Sequence, residues 1–257
     1  MSGMNRLSQM PLMTIAIIAL CAVMGMVTNV VSPNNLDLLR YGANLRELTF
    51  GGEWWRLIAS AFLHGGMIHF GMNMLCLWQL GGLLERFAGR ASVAFIFVMT
   101  AIVGNICSLA VHPDSIGVGA SGGVFGLAGA FYAYVWIARD YLGLGREGAI
   151  GVLRGGLTFV GINFLYSLQP GIDMMAHVGG LISGAAIGAG LASVLTRRLP
   201  IRYRTLDWVL YAITAGVVLL LFLCSTQVYD FSKMPEEDDD ALSAPADPGS
   251  SPTATFF

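Results

Sequence analysis

Charge is what this 257-residue chain has least of: only 12% of its residues are Asp, Glu, Lys or Arg, while 55% are hydrophobic. Soluble domains carry roughly a quarter charged residues, so this chain cannot cover itself with an ordinary aqueous surface. Lysine is nearly missing, with Lys233 the single example. There is no basic, aromatic-studded surface for nucleic acid and no phosphate-binding glycine loop. Cysteine is sparse and dispersed: Cys21, Cys76, Cys107 and Cys224 each fall in a different apolar run. They read as small buried apolar residues, not as a disulfide framework or a metal site. No metal and no cofactor is expected.

What the chain does have is long runs without charge. A hydrocarbon core about 30 Å thick needs roughly 20 apolar residues per helical crossing. Seven runs qualify, at about 12–31, 67–84, 91–111, 121–138, 149–168, 174–194 and 206–226. The expected fold class is an all-α polytopic membrane protein. The first run is long for a signal peptide and lacks a clear cleavage site, so it reads as a retained span. Arg6, Arg86, Arg90, Arg139, Arg146, Arg154, Arg197, Arg198, Arg202 and Arg204 occupy alternate connections, and fewer basic residues (Arg40, Arg46, Arg56, Lys233) occupy the others. The positive-inside rule then puts the N-terminus in the cytoplasm and the C-terminus outside. Residues 1–11 form a short cytoplasmic N-terminus, 12–195 a membrane domain of six spans with an outside loop at 32–66, and 196–230 a cytoplasmic loop and a seventh span. The remainder, 231–257, is a disordered, acidic outside tail.

Polar side chains inside a bilayer are costly and mark function. His64, His69 and Asn73 lie at the start of the second span, Ser121 opens the fourth, and His177 lies near the start of the sixth. The topology puts all of them toward the outer leaflet. His69 and Asn73, four residues apart, share a helix face. Gly122, Gly126 and Ala130 recur every four residues after Ser121, as do Gly180, Gly184 and Gly188 after His177. Such stripes let helix backbones approach closely in lipid; packed together, they bring Ser121 within hydrogen-bonding reach of His177. A neutral histidine is the usual base for a serine nucleophile. A helix N-terminus at Ser121, with Asn73 and His69, offers donors for a tetrahedral oxyanion. No acid lies at the depth of His177, since Asp173 falls a turn earlier, so a dyad is expected in place of a triad.

At these residues the sequence resembles the rhomboid family of intramembrane serine proteases. The resemblance runs from "WWR" at 54–56 to "AHVGGLISG" at 176–184, through "GGLLER" at 81–86 and the G-x-S-G of Gly119-Ala120-Ser121-Gly122. It implies a six-helix catalytic bundle, here with a seventh, C-terminal transmembrane helix. Ser121 is the implied nucleophile and His177 the base, with Asn73, His69 and the Ser121 amide as oxyanion donors. Trp55 and Arg56 match a first-loop pair that orders that loop, although Trp55 also fits an interfacial anchor. Glu85 matches a carboxylate bracing the loop before the serine, or else a helix-end ion beside Arg86. His64 is expected to be structural, with a catalytic role the alternative. Phe125 stands where the family has an aromatic stacked on the histidine, without the tyrosine hydroxyl many members carry there. Gly119, Gly122, Gly180 and Gly184 are supporting positions.

The implied reaction is cleavage of a substrate's transmembrane segment, the substrate entering laterally from the lipid beside the second and fifth spans. Membrane proteins and lipid are thus the expected partners, and a prokaryotic inner membrane the expected location. Three rivals stand beside it. The G-x-S-x-G of soluble hydrolases needs an alternating α/β pattern that this chain lacks. A transporter needs charges deep in its spans, and Asn105 and Asn163 are slight by that measure. A catalytically inactive rhomboid-like protein that binds membrane clients is the remaining alternative; retention of both Ser121 and His177 argues against it.

Overall fold

The computed structural model describes residues 10–167 and 172–196, together with 209–210, 212–217 and 219. Most of the seventh expected span, 206–226, and all of the tail lie outside the described residues. Within them the chain is helical: α1 (Leu12–Val27), α2 (Asn35–Arg40), α3 (Arg46–Phe50), α4 (Arg56–Ala59), α5 (Met67–Ala88), α6 (Arg90–Val111), α7 (Ser121–Ala138), α8 (Gly145–Tyr166) and α9 (Met174–Thr196). Helices are the natural answer for uncharged runs, because each closes its own backbone hydrogen bonds where lipid offers none. The chain is an all-α polytopic membrane protein. Helices α5 to α9 are each long and apolar enough to cross a bilayer, and α1 is apolar but shorter. It stops four residues before the expected end, where Asn29 takes a left-handed φ of +51° and the Val30 amide donates to the Gly25 carbonyl at 2.8 Å.

Helix α7 is the centre of the bundle. In its apolar window 72% of residues are buried, against 12% for α8 at the edge. The two glycine stripes meet. A Cβ on Gly180, Gly184 or Gly188 of α9 would run into the backbone carbonyl of Gly122, Gly126 or Ala130 of α7, in that order. On the other side of α7, Gly123 receives the Phe97 ring and Gly126 receives Thr100, both from α6. Helix α8 meets α7 at Gly156, against the Tyr132 ring, and at Phe164, whose ring packs edge-on to Phe125 at 5.6 Å, while Gly155 and Gly161 face open space.

The connection between α1 and α5 is built around Arg56, which is fully buried. Its Nη1 donates to the carbonyls of Leu39 at 2.6 Å and Ala43 at 2.9 Å, and its Nε donates to Glu53 at 2.8 Å. The guanidinium also stacks over Trp55, whose ring fills the space left by Gly42. Burial lowers the Arg56 pKa and the adjacent Glu53 carboxylate opposes that shift. Asn44 then pairs antiparallel with Gly117, with N–H···O distances of 2.7 and 2.8 Å. The loop is thereby fastened to the segment entering α7.

Glu85 corrects one expectation. Among the described residues no hydrogen bond or ion pair joins it to the loop before Ser121 or to Arg86. Its carboxylate accepts the amides of Met13 and Thr14 and the Thr14 hydroxyl, at 2.9–3.1 Å, and lies 3.5 Å from Arg90. The reason is the N-terminus of α1, whose first amides lack helical partners and whose dipole favours an anion.

Candidate active site

Ser121 is the first residue of α7. The segment leading to it makes a sharp turn, with Gly119 at φ +132°, where a side chain would be strained. The Gly119 amide donates to the Ser60 carbonyl at 2.9 Å. The first helical bond is from Val124 to Ala120, so the amides of Ser121, Gly122 and Gly123 have no partner within the helix. Ser121 lines a cavity with Gly119, Asn105, Ala176 and Asp173.

His177 sits one turn into α9. Its ring stacks on Phe125 of α7 at 4.4 Å between centroids and 16° between planes. Phe125 lies one turn beyond Ser121, so the imidazole is held flat along the helix face that carries the serine. Its Nδ1 lies 2.7 Å from Ser167 Oγ. Among the described residues no hydrogen bond joins Ser121 to His177; such bonds are often long before substrate is bound. Asp173 is buried but turned to other work, its Oδ1 capping α9 through the Ala176 amide at 2.9 Å.

His69 and Asn73 both lie on α5. The His69 ring packs edge-on to that of His64 at 5.4 Å. Asn73 is buried, and its Nδ2 donor has no hydrogen-bond partner among the described residues. A buried unpaired donor costs free energy unless something else meets it. His64 is fully buried before the start of α5, and burial pulls its pKa down to about 3, with His69 adding to the effect.

Several residues that position this site gave little sign in the sequence. Asn105 of α6 donates from Nδ2 to the Leu57 carbonyl at 2.9 Å and to Ser60 Oγ at 3.0 Å, tying the first loop to the wall of the serine cavity. Its amide within an apolar span was the available signal. Thr49 donates to Asn44 Oδ1 at 2.8 Å, bracing the same junction. Ser167 carried no signal, being one more hydroxyl at a helix end.

A Rhomboid domain model matches residues 51–194. Rhomboid protease GluP of Bacillus subtilis (strain 168) is 33% identical over 172 residues, which is 65% of this chain and 33% of that protein. RHOMBOID-like protein 4 of Arabidopsis thaliana is 31% identical over 157 residues, 61% of this chain and 39% of its own. Rhomboid protease AarA of Providencia stuartii is 26% identical over 217 residues, 76% of this chain and 73% of its own. This chain therefore spans well under half the length of the first two relatives, which come from a bacterium and a plant. The family match covers more than half of the chain and includes α5 to α9 almost entire. By sequence and by helical architecture, this chain belongs to the rhomboid family.

Proposed function

We propose that this chain is an intramembrane serine endopeptidase that cleaves transmembrane segments of other membrane proteins. The observation that carries the reading is the α7–α9 crossing: its glycine contacts seat the His177 ring on Phe125, one turn from Ser121. Two relatives, Rhomboid protease GluP and Rhomboid protease AarA, support it by name.

In this reading Ser121 Oγ attacks the scissile carbonyl carbon while His177 Nε2 takes its proton. The resulting oxyanion is met by the free Ser121 amide, by the unpaired Nδ2 of Asn73 and by His69. Collapse passes the His177 proton to the leaving amine and leaves an acyl-enzyme on Ser121. Water, deprotonated by His177, then releases the acid product. The substrate helix must unwind locally first, because its carbonyls are already bonded. Lateral access beside α5 and α8 fits the thin packing of α8, whose Leu157, Ile162 and Leu165 are exposed. The arginine distribution supports a cytoplasmic N-terminus and an outward-facing site.

The test uses purified protein in detergent with a transmembrane reporter substrate. Wild type cleaves and forms a covalent adduct with a fluorophosphonate at Ser121, while Ser121→Ala and His177→Ala cleave at least about a thousandfold more slowly. Cleavage by Ser121→Ala at the wild-type rate removes the nucleophile assignment. Tight capture of the reporter without cleavage or labelling supports the inactive, client-binding alternative.

A further inference from the structure

His177 carries a polar contact that the dyad leaves without a purpose. Ser167, the residue that follows α8, is buried, and its Oγ lies 2.7 Å from His177 Nδ1. The same Oγ lies 2.7 Å from the Asn163 backbone carbonyl oxygen. A serine hydroxyl has one proton to give. A carbonyl oxygen can only accept, so the contact with Asn163 exists as a hydrogen bond only if Ser167 donates to it. The Ser167 oxygen then has only lone pairs to offer Nδ1, and the second contact exists only if Nδ1 bears the proton. The opposite assignment would set two acceptors face to face at 2.7 Å. The two distances together therefore select one tautomer: Nδ1 protonated, Nε2 bare.

We propose that Ser167 is the positioning residue of His177, fixing the tautomer whose Nε2 is free to receive the Ser121 proton. In serine hydrolases built on a triad an acid does this work, and placing the proton on the wrong nitrogen is among the largest losses such a site can suffer. Asp173 does not supply it, being engaged as the cap of α9. Phe125 fixes the ring plane but has no group to choose between the two nitrogens. The hydroxyl of Ser167 makes that choice from the end of α8, so the least buried span is coupled to the chemistry of the two most closely packed ones. The relay is neutral: Nδ1–H donates to Ser167 Oγ, and Ser167 Oγ–H donates to Asn163 O. It costs the apolar interior no buried charge.

This inference rests on the proposed Ser121–His177 dyad but is read out separately from it. Full-length protein with 15N-labelled histidine shows the His177 ring by difference against His177→Ala, and the two nitrogen shifts distinguish the tautomers. Wild type is expected to show protonated Nδ1. Ser167→Ala is expected to shift the ring toward protonated Nε2, the form a free histidine side chain favours, with helix content unchanged. The Asn163 carbonyl keeps the Ser167 amide at 3.0 Å in that variant, so the helix end survives. Its kcat should fall about tenfold at unchanged KM, the scale of one buried hydrogen bond. Ser167→Thr, which retains the hydroxyl, should restore both tautomer and kcat. An unaltered His177 spectrum and kcat in Ser167→Ala overturn the inference, even with Ser121→Ala inactive. Full cleavage by Ser121→Ala instead removes the dyad, while the spectra still decide whether Ser167 sets the tautomer.

Discussion

A buried imidazole is inexpensive only while it stays neutral. His64 is fully enclosed, and its pKa of about 3 in the fold lies well below the 6.5 of an exposed histidine. Between those values the unfolded chain takes up a proton that the folded chain refuses. Stability from this residue is therefore fully present above about pH 6.5 and falls as the pH drops toward 3, by at most about 1.4 kcal/mol per pH unit. His64→Phe, in a pocket already shaped by the His69 and Phe70 rings, should abolish that part of the slope. The check is thermal unfolding in detergent from about pH 7 to about pH 4: wild type should lose more stability than the variant over that range. Parallel curves would mean that His64 is charged or solvated in the fold. At this scale the sequence shows which residue types could react, but not which are partnered. It identifies Glu85 as a carboxylate with a structural task and misplaces that task, because the partner amides of Met13 and Thr14 lie 71–72 residues away. Ser167 is invisible for the same reason, its meaning resting on a distance to His177.

Helix pairs were the most legible level. Each of the six long helices, α1 and α5 to α9, begins and ends within four residues of an expected apolar run. The four-residue period of Gly122, Gly126 and Ala130 and of Gly180, Gly184 and Gly188 predicted a close crossing, and those residues meet backbone to backbone. Small residues pack tightly in lipid because only van der Waals contact and polar groups hold helices together there. Gly184→Ala is then a measured insult. Its methyl would occupy the place of the Gly126 carbonyl, and the helices must separate. Overpacking of this kind costs about 1–3 kcal/mol, and the shift should also lift His177 from Phe125 and lower cleavage. Gly190→Ala on the same helix meets nothing within 4 Å and serves as the control. Comparing melting temperatures and cleavage rates of the two variants checks the claim; equal behaviour would show that the crossing tolerates a wider spacing.

Across the whole molecule, the first loop and α1 are held by deeply buried polar contacts set beside apolar ones: Ile17 and Cys21 join the main core, and Leu38, Leu39 and Ala43 pack with Leu63, Ile116 and Val118. Between two apolar helices in lipid there is no hydrophobic drive to associate, so directional bonds decide whether α1 docks. Glu85 supplies three of them to the start of α1, and Thr14 also fits against Gly81, where a Cβ would press into its side chain. The Rhomboid domain match begins at residue 51, beyond α1, so this junction joins the matched domain to the helix preceding it. Glu85→Gln preserves size and one acceptor oxygen but removes the charge that the helix N-terminus favours. The N-terminal turn of α1 should loosen, at a cost of about 1.5–3 kcal/mol for hydrogen bonds to a charged group. Amide exchange over residues 12–16 should rise, while exchange in α7 and α9 stays at the wild-type level. Cleavage should persist, because no residue placed in the catalytic reading touches Glu85. If exchange rose instead throughout α5, α7 and α9, Glu85 would be holding the entire bundle together, and α1 would have to be counted as part of the catalytic core.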